Sequence, residues 1–145
     1  MSDSLVVFLR ARYDEDERIA QAACWDDQSD AWTARPPQAS YERYTVVDYL
    51  DDGVVAVTPE NADADGVGQH IARHDPARVL REIDAKRQTL AELEAAELAM
   101  DRASRDRDTA RYNAVRAEWV VLRRVVRRDA AVYSDHPSYL EEWRP

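Results

Sequence analysis

The sequence holds three histidines, and two of them, His70 and His74, stand four apart. That spacing is close to one helical turn, so both imidazoles fall on the same helix face. With His136 as a third ligand and Asp135 as a fourth, they form a candidate site for zinc or another divalent metal, since a catalytic zinc needs at least three protein ligands. The chain would have to fold 133–137 back over 70–74. The glutamate base of a His-Glu-x-x-His site is missing, because the stretch reads His-Ile-Ala-Arg-His. A plainer reading starts from Asp75-Pro76. Proline keeps the residue before it out of the α region and itself suits the first position of a new helix. Asp75 then caps a helix beginning at Pro76, and a short helix of about 67–74 ends at His74. A charged histidine in a last turn interacts favourably with the exposed carbonyls. We take this plainer reading as the expectation and the metal as the alternative.

Other reactive arrangements are weaker. Cys24 is the single cysteine and has no base beside it in sequence. There is no glycine-rich phosphate loop and no Gly-x-Ser-x-Gly elbow. The acidic run at 14–18, "DEDER", reads as a solvated face, and 60–68, "ENADADGVG", reads as a polar connector without a calcium-loop pattern.

A second chemistry is cationic. Arg116, Arg123, Arg124, Arg127 and Arg128 crowd one segment. Arg123 with Arg127, and Arg124 with Arg128, are like-charge i,i+4 pairs that cost a few tenths of a kcal/mol each. Glu82, Glu92, Glu94 and Glu97 on the preceding helix are the simplest expected counter-charges. The alternative is docking to nucleic acid or to an acidic partner. Aromatic residues do not interleave with these arginines as they would on a single-strand binding platform.

The elements that position these residues follow from periodicity. Residues 3–23 read as a helix, with Leu5, Phe8, Leu9, Tyr13, Ile19 and Ala23 at steps of three and four and Ser2, Asp3 or Ser4 as cap. Trp25 and Trp32 flank "DDQSDA" in an irregular stretch and are expected to plug the core. Residues 43–59 hold two β-branched runs around Asp52-Gly53, a hairpin signal. A turn filled by those two residues puts Leu50 opposite Val55, Asp48 opposite Val57 and Val46 opposite Pro59 on an inward face. A hairpin alone is marginal, so a third strand from 31–35 is a candidate. Between Pro76 and Pro137 there is neither Gly nor Pro, a run of 60 residues, which reads as helix. Val79, Ile83, Leu90, Leu93 and Met100 mark one stripe. Tyr112, Val115, Trp119, Leu122, Val126, Ala130 and Tyr133 mark another. We favour an antiparallel helical hairpin over 76–132, turning at 101–108 with Ser104, Asp106 or Asp108 as cap, over one unbroken coiled-coil helix. The last segment, 133–145, is expected to latch onto the body through Tyr139, Leu140 and Trp143.

The bulk numbers frame one domain over 1–145, mainly α within an α+β class. Net charge is −9, with 29 acidic and 20 basic residues, 19 of the latter arginine. Residues 101–128 carry nine arginines against four acids, a local +5, so the remainder stands at −14. Long-range repulsion disfavours nucleic acid. The basic segment is better suited to an acidic partner or the acidic part of a second copy. A lone cysteine, the lack of a signal sequence and the lack of any apolar run near ~20 residues point to the cytoplasm and away from membranes.

"HIARHDPARVLREIDAKRQTLAE", the ending "AVYSDHPSYLEEWRP" and the N-terminal "FLRARYDEDERIAQAA" resemble, in that order, a family of small proteins of unknown function from actinobacteria and their phages. The resemblance implies a cytoplasmic protein without an established activity. It also implies, for many members, a Cys/His-containing stretch able to bind zinc before the closing element. Here that stretch is "ELAMDRASRDRDTARYNAVRAEW", without cysteine, which puts such a role in doubt. His70, His74 and His136 lie in the matching blocks.

The expected function is a non-enzymatic interaction module that self-associates through its long helices. Apolar residues lie on two sides of 110–133: Ala114, Ala117, Val121 and Val125 form a second stripe beside the first. Tyr112, Val115, Trp119, Val121, Leu122, Val125 and Val126 are the candidate self-association residues. A helix apolar on two sides needs neighbours on both.

Overall fold

The computed structural model describes residues 3–58 and 66–145. Its elements are helix α1 (Ser4–Ala22), strands β1 (Thr33–Arg35), β2 (Thr45–Val47) and β3 (Gly53–Ala56), helices α2 (Gly66–Arg73), α3 (Pro76–Arg105) and α4 (Thr109–Ala131), and a closing 3-10 turn (Glu141–Trp143). The protein is mainly helical with one small antiparallel sheet, and α3 and α4 form the expected hairpin. Among the described residues no helix is long and apolar enough to cross a membrane.

Two compact units emerge. A helical unit combines the chain up to Asp14 with Asp84–Pro145, and a sheet unit takes Glu15–Ile83. Helices α1 and α3 each lend residues to both.

In the helical unit, Asp3 caps α1, accepting from the Leu5 N–H at 3.0 Å. Leu5, Val6, Phe8, Leu9 and Tyr13 are buried. Opposite them α3 buries Leu90, Leu93 and Ala96, and α4 buries Val126 and Ala130. Each fully buried large side chain contributes roughly 1.5–3 kcal/mol. Arg10 bonds both carboxylate oxygens of Glu94 at 2.7 and 2.6 Å, and Arg87 bonds Asp14 at 2.7 Å. As the residue number rises on α1 it falls on α3, so the two helices run antiparallel. The long breaker-free run reverses at Arg107, whose φ is 55°. Asp108 then caps α4 through the Arg111 N–H at 3.0 Å. Of the three cap candidates in this turn, Asp108 is the one the chain uses.

In the sheet unit, the strand order is β1-β2-β3, all antiparallel. The candidate third strand from 31–35 is β1, which pairs Ala34 with Val46. The hairpin register differs from expectation. Val46 lies opposite Val55, Thr45 opposite Ala56 and Val47 opposite Gly53. The turn is therefore 48–52, not Asp52-Gly53. Asp48 is the cause: its Oδ1 accepts from the Leu50 and Asp52 N–H groups, both at 2.9 Å, and its own N–H donates to the Asp52 carbonyl at 3.0 Å. Leu50 is consequently 59% exposed rather than inward. A bulge between Val46 and Val47 breaks the alternation, and both valines are buried. Pro59 and residues 60–65, which complete the expected hairpin and connector, lie outside the described residues, as does Ser2.

Helix α2 packs on β1 and β2. It comes so close to β2 that a Cβ on Gly68 would stand 2.1 Å from the buried Tyr44 ring. Asp75 caps α3 as expected. One carboxylate oxygen accepts from the Arg78 N–H at 2.9 Å, and the other accepts from the Trp32 N–H at 3.1 Å. Trp32 is half-buried, but Trp25 is 53% exposed and plugs no core. Ile19 and Ala23 are exposed while Ala20 is buried, so the inward face of α1 shifts over its last turns. Glu15, Asp16 and Glu17 are half-buried, not a fully solvated face.

Gly68→Ala is expected to lower stability by about 1–2 kcal/mol. Overpacking costs about 1–3 kcal/mol, and the better helix propensity of Ala returns up to about 1. Thermal denaturation followed by circular dichroism measures it, and an unchanged midpoint would show that α2 stands farther from Tyr44.

Candidate functional site

Helix α4 carries the chemistry that the rest of the helical unit leaves open. Its first stripe faces inward: Val126 is buried, and Tyr112, Val115, Trp119 and Leu122 are half-buried, as is Val125 of the second stripe. The Trp119 indole N–H donates to Glu97 at 3.1 Å. These two residues lie equally far on either side of Asp108, as an antiparallel hairpin requires. Of the expected self-association residues only Val121 stays largely exposed, at 57%, with Ala114 and Ala117 exposed beside it.

The arginines behave differently from expectation. Arg123 pairs with Asp3 and lies over the Trp119 ring, its guanidinium carbon 5.4 Å from the centroid. Arg116, Arg124, Arg127 and Arg128 make no hydrogen bond or ion pair among the described residues, and the half-buried Arg127 has an Nε shielded from solvent without an acceptor. Three of the four glutamates expected to offset them, all but Glu92, have other partners. Glu94 holds Arg10, Glu82 accepts from Arg78 at 2.8 Å, and Glu97 accepts from Trp119. Trp119, Val120, Arg123, Arg124, Arg127 and Pro145 line an open groove of about 430 Å³. Its walls are apolar, and Arg124 and Arg127 bring to it guanidiniums without carboxylate partners among the described residues.

His70 and His74 sit together in the sheet unit with ring centroids 4.3 Å apart, and His74 Nδ1 donates to the His70 carbonyl at 2.8 Å. His74 closes α2, its N–H bonded to the same carbonyl. His136 belongs to the helical unit, and both its ring nitrogens are engaged. Nδ1 accepts from the Ser138 N–H at 3.0 Å, and Nε2 meets the Arg12 guanidinium. Among the described residues no three His, Cys, Asp or Glu side chains gather to hold a metal ion. Asp135, the expected fourth ligand, is exposed.

His136 instead joins an aromatic hub. Around the buried Phe8 ring stand Tyr133 at 6.2 Å, His136 at 5.5 Å, Tyr139 at 6.2 Å and Trp143 at 4.9 Å between centroids. The tail is thus latched by Tyr139 and Trp143, while Leu140 stays largely exposed. Cys24 donates to the Ala20 carbonyl at the end of α1. Its thiol is pushed up by burial and by Asp30, Asp26 and Asp75, which favours the unreactive protonated form. Asp129 on α4 is also pushed up by burial, with Lys86 pulling the other way.

A further patch was not foreseen. The Tyr49 hydroxyl donates to Asp26 at 2.6 Å and ties the loop of 25–29 to the turn of 48–52. Inside the first loop the buried Ser29 hydroxyl accepts from the Trp25 and Asp26 N–H groups. The Tyr49–Asp26 hydrogen bond holds the Asp26 carboxyl below the usual carboxylate range, helped by the Gln28 N–H, and pushes Tyr49 up to about 12. The only sequence signal was the recurrence of acidic and aromatic residues in both segments.

A two-unit scaffold with a long helical hairpin, a small sheet and an arginine-lined groove is the class of protein these features define. The chain belongs to a family of unknown function, DUF6221, whose model matches residues 2–145. No curated protein and no solved structure matches it.

Trp143→Ala should cost about 3–5 kcal/mol, as removal of a buried aromatic does, read as a lower denaturation midpoint. Retention of the native midpoint would mean the tail is not a latch. For Asp26 the sign follows from its depressed folded-state value. The linked stability is full above the ordinary carboxylate value and is lost as pH falls through the depressed one. Tyr49→Phe is expected to raise the Asp26 value towards the ordinary range in a carboxyl-carbon NMR titration. No movement would remove that hydrogen bond from the structure in solution.

Proposed function

We propose that the protein is a cytoplasmic, non-enzymatic interaction module that self-associates through α4. The observation carrying this reading is the exposed stripe of Ala114, Ala117 and Val121 on a helix whose other apolar stripe already faces inward. An apolar stripe beyond the needs of the core stabilises association when a second surface covers it. Unmatched arginines on the same helix discourage collapse of that stripe onto other apolar surfaces and favour a partner bearing carboxylates. The raised thiol value at Cys24, which favours the protonated form, supports a non-catalytic role.

The sequence blocks that resemble actinobacterial and phage proteins have structural work in this reading. Asp75-Pro76 starts α3, and the Tyr139 and Trp143 of the closing block anchor the tail on Phe8.

Light scattering of the full chain at tens of micromolar should give a mass of at least two copies. Val121→Asp should shift it to one copy with unchanged helicity, because a carboxylate in an apolar contact is costly to desolvate. A native chain that is strictly one copy at that concentration overturns the proposal.

A further inference from the structure

Building on self-association through α4, we infer that the groove on α4 of one copy receives the acidic, aromatic patch of a second copy, formed by the loop of 25–29 and the turn of 48–52. The patch is preorganised. Tyr49 bonds Asp26 across the two segments, and Asp48 fixes the turn by accepting from Leu50 and Asp52. Preorganisation lowers the entropy lost on docking. Trp25, Tyr49 and Leu50 are 53%, 45% and 59% exposed, an unusual cluster of large apolar side chains for a surface so acidic. Asp27, Asp51 and Asp52 are exposed beside them and make no side-chain hydrogen bond or ion pair among the described residues.

The groove has the complementary chemistry. Trp119 and Val120 supply apolar wall, and Arg124 and Arg127 supply guanidiniums without carboxylates. The two units divide the charge in the same sense. The sheet unit has fifteen acidic residues against six basic, which is the whole net charge of −9, whereas the helical unit has fourteen of each. The unmatched arginines are therefore not an overall excess within their unit. They are local, on one face of one helix, and the free carboxylates are local on two segments of the other unit. Tryptophan and arginine at the centre of a contact are the residue types that carry most binding energy. A second copy supplies patch and groove in equal number. A free polyanion such as nucleic acid is instead repelled at long range by the net charge.

The test uses the full chain and two charge-reversed variants, with far-UV circular dichroism to confirm that each variant folds. One variant carries Arg124→Glu and Arg127→Glu in the groove, the other Asp27→Arg and Asp52→Arg in the patch. Sedimentation equilibrium is run on each and on their equimolar mixture, at low and high salt. Each variant alone should associate at least about tenfold more weakly than the native chain, since like charges then face each other. The mixture should recover assembly, because each surface again finds its opposite. High salt should weaken the native assembly and the mixture alike. If the native chain assembles but neither reversal nor salt moves it, while Val121→Asp does, self-association through α4 survives and this pairing is wrong. If each variant is weakened and the mixture is not restored, the patch is not the occupant. A native chain that is a single copy at every salt overturns both readings.

Discussion

The structure turns on the chain reversal at Arg107. Between Pro76 and Pro137 nothing in the sequence interrupts a helix, and the reversal must be made by ordinary residues. Arg107 takes a left-handed conformation, which costs an L-residue with a Cβ about 1–2 kcal/mol. The Asp108 cap, a contribution of about 1 kcal/mol, and the burial of Leu90, Leu93 and Val126 offset it. With the chain reversed there, Glu97 meets Trp119 and the inward stripe of α4 is decided. A continuous helix would have left both stripes of 110–133 open.

Once the inward stripe is chosen, the electrostatics follow. Arg10 and Arg87 on opposite sides of the α1–α3 pair engage Glu94 and Asp14. Glu94 is thereby directed to α1, while Glu82 bonds Arg78 on its own helix and Glu97 meets the Trp119 indole rather than an arginine. The arginines of α4 remain without counter-charge, and a groove forms where they flank Trp119 and Val120. The groove thus lies where the acids of α3 leave the arginines of α4 without carboxylates.

The tail shows the same dependence on distant contacts. Its aromatic residues were legible as an apolar cluster, and Pro137 as a helix stop. That Tyr133, His136, Tyr139 and Trp143 all converge on Phe8 was not, because α1 supplies the ring from the other end of the sequence. His136 was joined to His70 and His74 on residue type and on a fold-back of 133–137 over 70–74. Its surroundings are instead an aromatic ring, a guanidinium and a backbone N–H.

By itself the sequence determined what depends on local energetics. The helices, the Asp75 cap and the preference for a hairpin of α3 and α4 rest on propensity, periodicity and capping within a few residues, whereas Asp108 was one of three cap candidates and the third strand only a candidate. Tertiary structure decided what depends on competition among partners far apart along the chain. Arg10 with Glu94 and Arg123 with Asp3 join residues 84 and 120 positions apart. The β2–β3 register is the instructive middle case. Asp52-Gly53 is a good turn by residue type, but the buried Asp48 accepts two backbone N–H groups and holds the turn at 48–52. A side chain sealed from water must find its hydrogen bonds, and only the packed structure shows which backbone donors lie within its reach.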